Sequence, residues 1–199
     1  IGPDGNRAIA ISGVSSDHNT YYVGAASGGL FKTANKGISW EPIFDDQDVS
    51  SVSAIAVSQK NPSIVWAGTG ETFLIRPAHA IGDGIYKSED GGNTWKNMGL
   101  QKTARIAKIV IHPKNDKIVY VAALGHTFGP QEDRGIYKTT NGGKTWKKIL
   151  FIDQNTGGID IALDRRNPNF LIASMWEIYI NTWGLNSGGE SGGVFISKN

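Results

Sequence analysis

Short runs of alternating apolar and polar residues recur along this chain, and each is closed by Gly, Pro, Asn or Asp. That is the pattern of half-buried strands joined by turns. In one stretch Val52 to Val57 alternates and predicts a strand, Asn61-Pro62 turns the chain, and Ile64 to Gly68 predicts a second strand. Gly84 to Ser88 then predicts a third, and Trp95 to Met98 opens a fourth. The same order of elements returns at Ile106 to Ile111, Ile118 to Ala122, Gly135 to Lys138 and Thr145 to Leu150. Earlier in the chain it is Ala8 to Ser12, Tyr21 to Ala25 and Gly29 to Lys32; later it is Ile159 to Leu163, Phe170 to Ser174 and Gly193 to Ile196. Leu100 to Val110 fits an amphipathic helix when read locally, but alignment with the sister repeats overrides that reading.

Between the third and fourth strands of each unit stands one motif, Ser/Thr-x-Asp/Asn-x-Gly-x-Ser/Thr-Trp. Its copies are Thr33 to Trp40, Ser88 to Trp95 and Thr139 to Trp146, and Ser197-Lys198-Asn199 begins a fourth. The tryptophans Trp40, Trp95 and Trp146 stand 55 and 51 residues apart, so the chain is a repeat of about 50 residues. In each box Asn35, Asp90 or Asn141 is expected to accept backbone N–H bonds in the turn. Gly37, Gly92 or Gly143 takes a backbone angle that other residues resist, and the Trp packs into the blade. These residues are read as structural; Asp90 is not a catalytic candidate.

Four-stranded antiparallel units at this period predict an all-β chain, a β-propeller. The expected blades span about 1–47, 48–101, 102–154 and 155–199, the last without its final strand. Because such a blade leaves an open sheet edge, the expectation is an incomplete propeller, completed by the rest of a longer chain or by a partner. Alternating strand directions put the box turns and the first-to-second turns at one end. The second-to-third connections fall at the other: the tight Ala26-Ser27-Gly28, then Thr69 to Asp83, Leu124 to Arg134 and Met175 to Gly192. Long loops on a rigid scaffold are where function concentrates.

Those loops supply the ligand-binding candidates Glu71, Arg76, His79, Asp83, His126, Trp176, Glu177 and Trp183, together with Phe73, Phe128, Glu132, Asp133, Arg134, Tyr179 and Glu190. Aromatics beside carboxylates and arginine suit a sugar or peptide, or acid–base chemistry if two carboxylates face each other at the right separation. The structural alternative is that Phe73, Trp176 and Trp183 pack the loops while the charges pair or meet solvent. His79 and His126 have no metal-ligand spacing, and no metal or cofactor is expected. His112 reads as a turn residue, and His18 lies in the corresponding turn of the first unit.

Composition narrows the classes. Glycine is heavy at 26 residues, as a fold of short strands and turns requires. A net charge of +2 without a Lys/Arg run argues against nucleic acid, and no apolar run approaches a bilayer span. With no cysteine there is neither a disulfide frame nor a thiol nucleophile.

The boxes resemble the Asp-box, or BNR, repeats of sialidases, xyloglucan-cleaving propeller glycosidases and the sortilin-type receptor propeller. Ile1-Gly2-Pro3, Tyr21 to Thr33, Glu71-Thr72 with Ile81 to Ser88, Tyr120 to His126 and Ala173 to Glu177 extend the resemblance to the amino-terminal half of large bacterial BNR proteins. The resemblance implies a secreted or envelope-associated bacterial protein. It also implies a catalytic aspartate before the Gly-Gly of the first blade in the xyloglucan-cleaving enzymes, where this chain has Ala26. Arg76 precedes Pro77 but lacks the sialidase arginine context. Three functions follow as expectations: a non-catalytic module binding a glycan, peptide or protein; a glycoside hydrolase drawing on Glu71, Asp83, Glu132, Asp133 or Glu177; or a scaffold. Whether the chain is an enzyme is left open, with the first reading preferred.

Overall fold

The computed structural model describes residue 3, residues 7–72 and residues 80–198. Among them lie four antiparallel four-stranded sheets and one 3-10 turn, Gln101–Thr103. The first sheet is β1 (Ala8–Val14), β2 (Asp17–Ala25), β3 (Leu30–Thr33) and β4 (Glu41–Pro42). The second is β5 (Val52–Val57), β6 (Val65–Thr69), β7 (Ile85–Ser88) and β8 (Lys96–Asn97). The third is β9 (Ile106–Ile111), β10 (Val119–Ala123), β11 (Gly135–Thr139) and β12 (Lys147–Leu150). In these three the strands pair in chain order. The segment open to a helical reading is the 3-10 turn followed by β9, as its sister repeats require.

The fourth sheet departs from the expected pattern. Met175 to Gly192, read from sequence as a loop, is largely strand: β14 (Leu171–Asn181) runs on past the sheet and folds back through β15 (Gly184–Ser187). The first half of β14 pairs with β13 (Thr156–Leu163) and β16 (Gly193–Ser197), so β16 is the third strand of this blade and β14–β15 is an arm added to it. The β-branched and aromatic run Trp176-Glu177-Ile178-Tyr179-Ile180 favours extension, and Asn181 caps the two-residue turn by accepting from the N–H groups of Trp183 and Gly184. His18 likewise falls just inside β2 rather than in the turn before it.

Each innermost strand carries a β-bulge at the same place, opposite the loop-side end of its neighbour, with Ile9, Ser53, Ala107 and Ile159 skipped in the pairing. A bulge sharpens strand twist, and its recurrence at one level turns every blade alike. The cores lie between the sheets. Tyr22, Leu30 and Phe44 meet Val52, Val65 and Tyr86 at the first seam. At the second, Trp66 and Ile85 meet Ile106, Val121 and Tyr137. Tyr120 and Ile136 meet Ile161, Leu171 and Met175 at the third. Each fully buried aliphatic or aromatic side chain contributes roughly 1.5–3 kcal/mol.

Blades approach closely because small and large residues alternate across the seam. A Cβ on Gly24 would stand 2.4 Å from the Val52 carbonyl oxygen, and one on Gly68 would stand 2.4 Å from the Ile106 side chain. At the third seam the small residue changes sides: Ala122 replaces the glycine, and Gly158 replaces the bulky residue opposite. The outer faces of the first and last sheets carry Ile11, Val194 and Ile196, all strongly exposed among the described residues.

The box tryptophans correct one expectation. Trp95 and Trp146 do not stay within their own blades but also reach across the seam to the preceding one. The Trp95 indole N–H donates to the Ile43 carbonyl at 2.7 Å, with its ring edge-on to Phe44. The Trp146 indole N–H donates to the Met98 carbonyl at 2.8 Å, with its ring edge-on to Trp66.

Candidate functional site

The two ends of the arc are built from different materials. At the box end the same bonds are made three times. The Asn35, Asp90 and Asn141 side-chain oxygens accept from the N–H groups of Ser39, Thr94 and Thr145 at 2.9, 2.9 and 3.0 Å. The hydroxyls of Thr33, Ser88 and Thr139 donate to those same oxygens and accept from the N–H groups of Gly37, Gly92 and Gly143. These glycines have φ of 84°, 98° and 91°, the left-handed region that strains a side chain. Hydrogen bonds from the Thr94 hydroxyl and N–H hold the Asp90 carboxyl down at about 2.

Lysine completes this end, a role the sequence reading missed. Lys32, Lys87 and Lys138 each precede a box hydroxyl residue and stand opposite an aromatic on the neighbouring strand. Their ammonium groups lie 5.7, 5.6 and 5.2 Å from the ring centroids of Tyr22, Trp66 and Tyr120. From there Lys32 and the Tyr22 hydroxyl both donate to the Gly91 carbonyl in the next blade's box, at 2.8 and 3.0 Å. The signal was available: a Lys-Ser/Thr pair three times, each in register with an aromatic.

At the opposite end the candidate residues lie on connections that differ from blade to blade. Arg76 and His79 fall outside the described residues, as does Phe73. Glu71 is buried, 3% exposed, at the exit of β6. Its Oε1 lies 2.6 Å from an Arg7 guanidinium nitrogen, a charge contact without an aligned hydrogen bond. Asp83 accepts from the Tyr86 hydroxyl at 2.6 Å, and burial with this bond pushes the Tyr86 phenol up to about 12. Glu177, at the position in blade 4 that Glu71 holds in blade 2, accepts from the Ser191 N–H at 3.1 Å. The indole N–H of Trp176 donates to the Ser187 hydroxyl across the arm at 3.2 Å.

Two buried arginines fasten these loops together. The Arg105 guanidinium donates to the carbonyls of Glu71 at 2.9 Å and Gly125 at 3.3 Å, bridging the loops of blades 2 and 3. Arg134, 0% exposed, donates to the carbonyls of Asn155 at 2.5 Å, Ile178 at 2.8 Å and His126, bridging blade 3 to the arm of blade 4. Burial lowers the Arg134 guanidinium to about 10, so it stays charged at neutral pH. The His126 imidazole is held below its usual range by burial and then by Arg105 and Arg134. Sequence reading placed Arg134 among surface loop charges and did not single out Arg105. Neither burial is visible in local pattern, because each guanidinium donates to carbonyls that the fold, not the local sequence, brings to it.

The accessible surface of these loops carries large apolar side chains beside polar ones such as Glu132, Asn186 and Glu190. Trp183, at the tip of the arm, is 93% exposed, and Leu185 and Phe128 are about half exposed. The arm is held close to its turn: the Ile180 N–H donates to the Thr127 carbonyl at 2.6 Å, and Phe128 forms a bridge with Ile180. No group of three or more metal-ligating side chains occurs among the described residues.

Four-stranded blades, box turns and seam tryptophans define a BNR-type β-propeller, incomplete in this chain. The chain matches the Sortilin-Vps10 family, described as sortilin, neurotensin receptor 3, over residues 83–199 and belongs to that family. No curated protein sequence matches it. Among solved structures it is similar to an ancestral GH74 enzyme, with a TM-score of 0.67 and 25% identity over 88% of this chain and 23% of that one. It is also similar to the GH74 enzyme of Niastella koreensis, with a TM-score of 0.71 and 20% identity over 95% of this chain and 28% of that one. A third relative in fold is YCF48 bound to D1 peptide, with a TM-score of 0.58 and 15% identity over 95% of this chain and 56% of that one. The chain thus spans about a quarter of the length of the two enzymes.

Proposed function

We propose that this chain is part of a secreted or envelope-associated binding module whose long-loop face holds a glycan or an extended peptide. The observation that carries this reading is Trp183, almost wholly in water on an arm that is bonded to the neighbouring blade. A rigid exposed indole suits stacking on a sugar ring or capping a peptide side chain at little entropic cost. Beside it β15 is exposed along its length and pairs on one side only among the described residues, which leaves backbone groups for an added strand. Three of the five carboxylates offered for hydrolysis are engaged, Glu71 with Arg7, Asp83 with Tyr86 and Glu177 with the Ser191 N–H, while Glu132 is exposed on the loop of blade 3. Ala26 is buried and bonded through its N–H to the Arg7 carbonyl.

The test is Trp183→Ala in the full-length protein, titrated with xyloglucan and other β-glucan oligosaccharides and with extended peptides. A loss of tenfold or more, about 1.4 kcal/mol, is expected for the ligand that binds. Unchanged affinity overturns the reading. The similarity to GH74 enzymes favours a second reading, polysaccharide hydrolysis, for which release of reducing ends in the same titrations is the readout.

A further inference from the structure

A second site lies at the other end of the molecule, in the seam between the second and third boxes. A cleft of about 730 Å³ opens there, the size that holds one or two sugar rings. It is lined by Thr94, Trp95, Met98, Thr140 and Asn141, and it carries Lys87, Lys96, Lys117 and Lys144 against the single carboxylate of Glu89. Lys87 is fixed, only 13% exposed, with its ammonium 2.5 Å from Glu89 and 5.6 Å from the Trp66 ring centroid. The other three lysines extend into solvent around it.

The repeat supplies its own control. At the seam between the first and second boxes the same scaffold is present, and alignment of the boxes gives the corresponding side chains. Lys32 stands for Lys87, but Glu41 stands for Lys96, Ser63 for Lys117, Asn93 for Lys144 and Asp90 for Asn141. The pairing of Ser63 with Lys117 is structural as well, since their carbonyls accept from Gly91 and Gly142 at 2.8 and 2.9 Å. With Asp90 contributed by the second box, one lysine there stands with two carboxylates, Glu41 and Asp90, whereas at the next seam four lysines stand with one, Glu89. Folding therefore does not require the lysines, because the same turn closes without them. Four of the corresponding positions differ toward positive charge, and one, Glu89 in place of Ala34, differs the other way.

We propose that this cleft binds an anionic sugar, one carrying sulfate or carboxylate groups, with the anionic groups among Lys96, Lys117 and Lys144. Lysine ammoniums act as point charges on flexible stems, so the site reads charge more than shape. A neutral glycan lacks the groups that the lysines would meet. The site is separate from the long-loop face, and its failure would leave the reading of that face intact.

The experiment uses the full-length protein and a heparin-type sulfated tetrasaccharide, with its desulfated counterpart as control. Lys96→Glu, Lys117→Ser and Lys144→Asn together give the cleft the residues of its sister seam, which the fold already accommodates. The triple variant should melt near the wild type and bind the sulfated tetrasaccharide at least tenfold more weakly. Wild-type affinity should fall steeply with added salt, because the exposed charges are screened. Equal binding by wild type and variant, equal binding of the desulfated sugar, or no binding at low ionic strength would each overturn the proposal. So would tighter binding of a single-stranded oligonucleotide at the same ionic strength. A Lys32→Gln variant that weakens binding as much as the triple variant would place the contact at the wrong seam.

Discussion

The box end and the long-loop end of these blades are capped by the same strands, yet one is repetitive and the other is not. At the box end three turns make the same hydroxyl, Asx and glycine bonds, and each is preceded by a Lys over an aromatic ring. At the loop end blade 1 crosses tightly through Ala26 to Gly29, blade 3 carries a loop pinned by Arg134, and blade 4 sends out a β-arm. Repetition marks the end where every blade solves the same folding problem. Divergence marks the end freed from it, where each loop has found its own partners. The box end then diverges in charge while keeping its bonds, and this isolates the lysine-rimmed cleft as something beyond folding.

The comparison can be broken most forcefully at the box-end seam. Trp66 is fully buried against Trp146, so Trp66→Ala should cost about 3–5 kcal/mol, read by denaturant unfolding. A loss below about 1 kcal/mol would mean that the seams do not carry the fold. At the loop end the corresponding blow is Arg134→Met, which leaves the carbonyls of His126, Asn155 and Ile178 without their donor. Each buried acceptor left unpaired costs about 1–3 kcal/mol, and water entering the loop offsets part of it, so a total of about 2–4 kcal/mol is expected. Hydrogen exchange should quicken in β14 and β15 and stay unchanged in β5 and β6. Uniform quickening would show that the two ends are not independent.

The smallest effect sharpens the comparison within the boxes. Asp90→Asn gives the second box the residue of the first and third. The folded-state Asp90 carboxyl is depressed to about 2 from its ordinary 3.8, so its contribution is present above the ordinary value and fades as pH falls toward 2. The variant should therefore melt slightly below the wild type above about pH 4, and the gap should close between about pH 4 and pH 2. A gap independent of pH would show that the carboxylate charge plays no part in the turn.

Legibility in the sequence followed the same division. The box residues Asn35, Asp90 and Asn141, their glycines and the order of strands were readable because turn chemistry acts over four or five residues and repeats. The direction taken by Trp95 and Trp146 was not, since the partner carbonyls of Ile43 and Met98 lie 52 and 48 residues away. The arm of blade 4 was missed because its glycines and polar residues read as loop, while its pairing along Ile178 to Asn181 depends on an anchor at Thr127. Of the eight ligand candidates, Arg76 and His79 lie outside the described residues and Trp176 and Glu177 fall within β14, and the sequence could not show that Glu71 is buried beside Arg7 or that Trp183 stands in water.

By itself, then, the sequence determined the repeat, the strand order and the chemistry of the turns, because these rest on backbone angles and hydrogen bonds between near neighbours. Only the tertiary structure decided which charges are spent on carbonyls, which aromatic rings close the seams and which remain exposed. Those outcomes depend on the meeting of residues from different blades, where burial and charge are properties of the seam rather than of any one repeat.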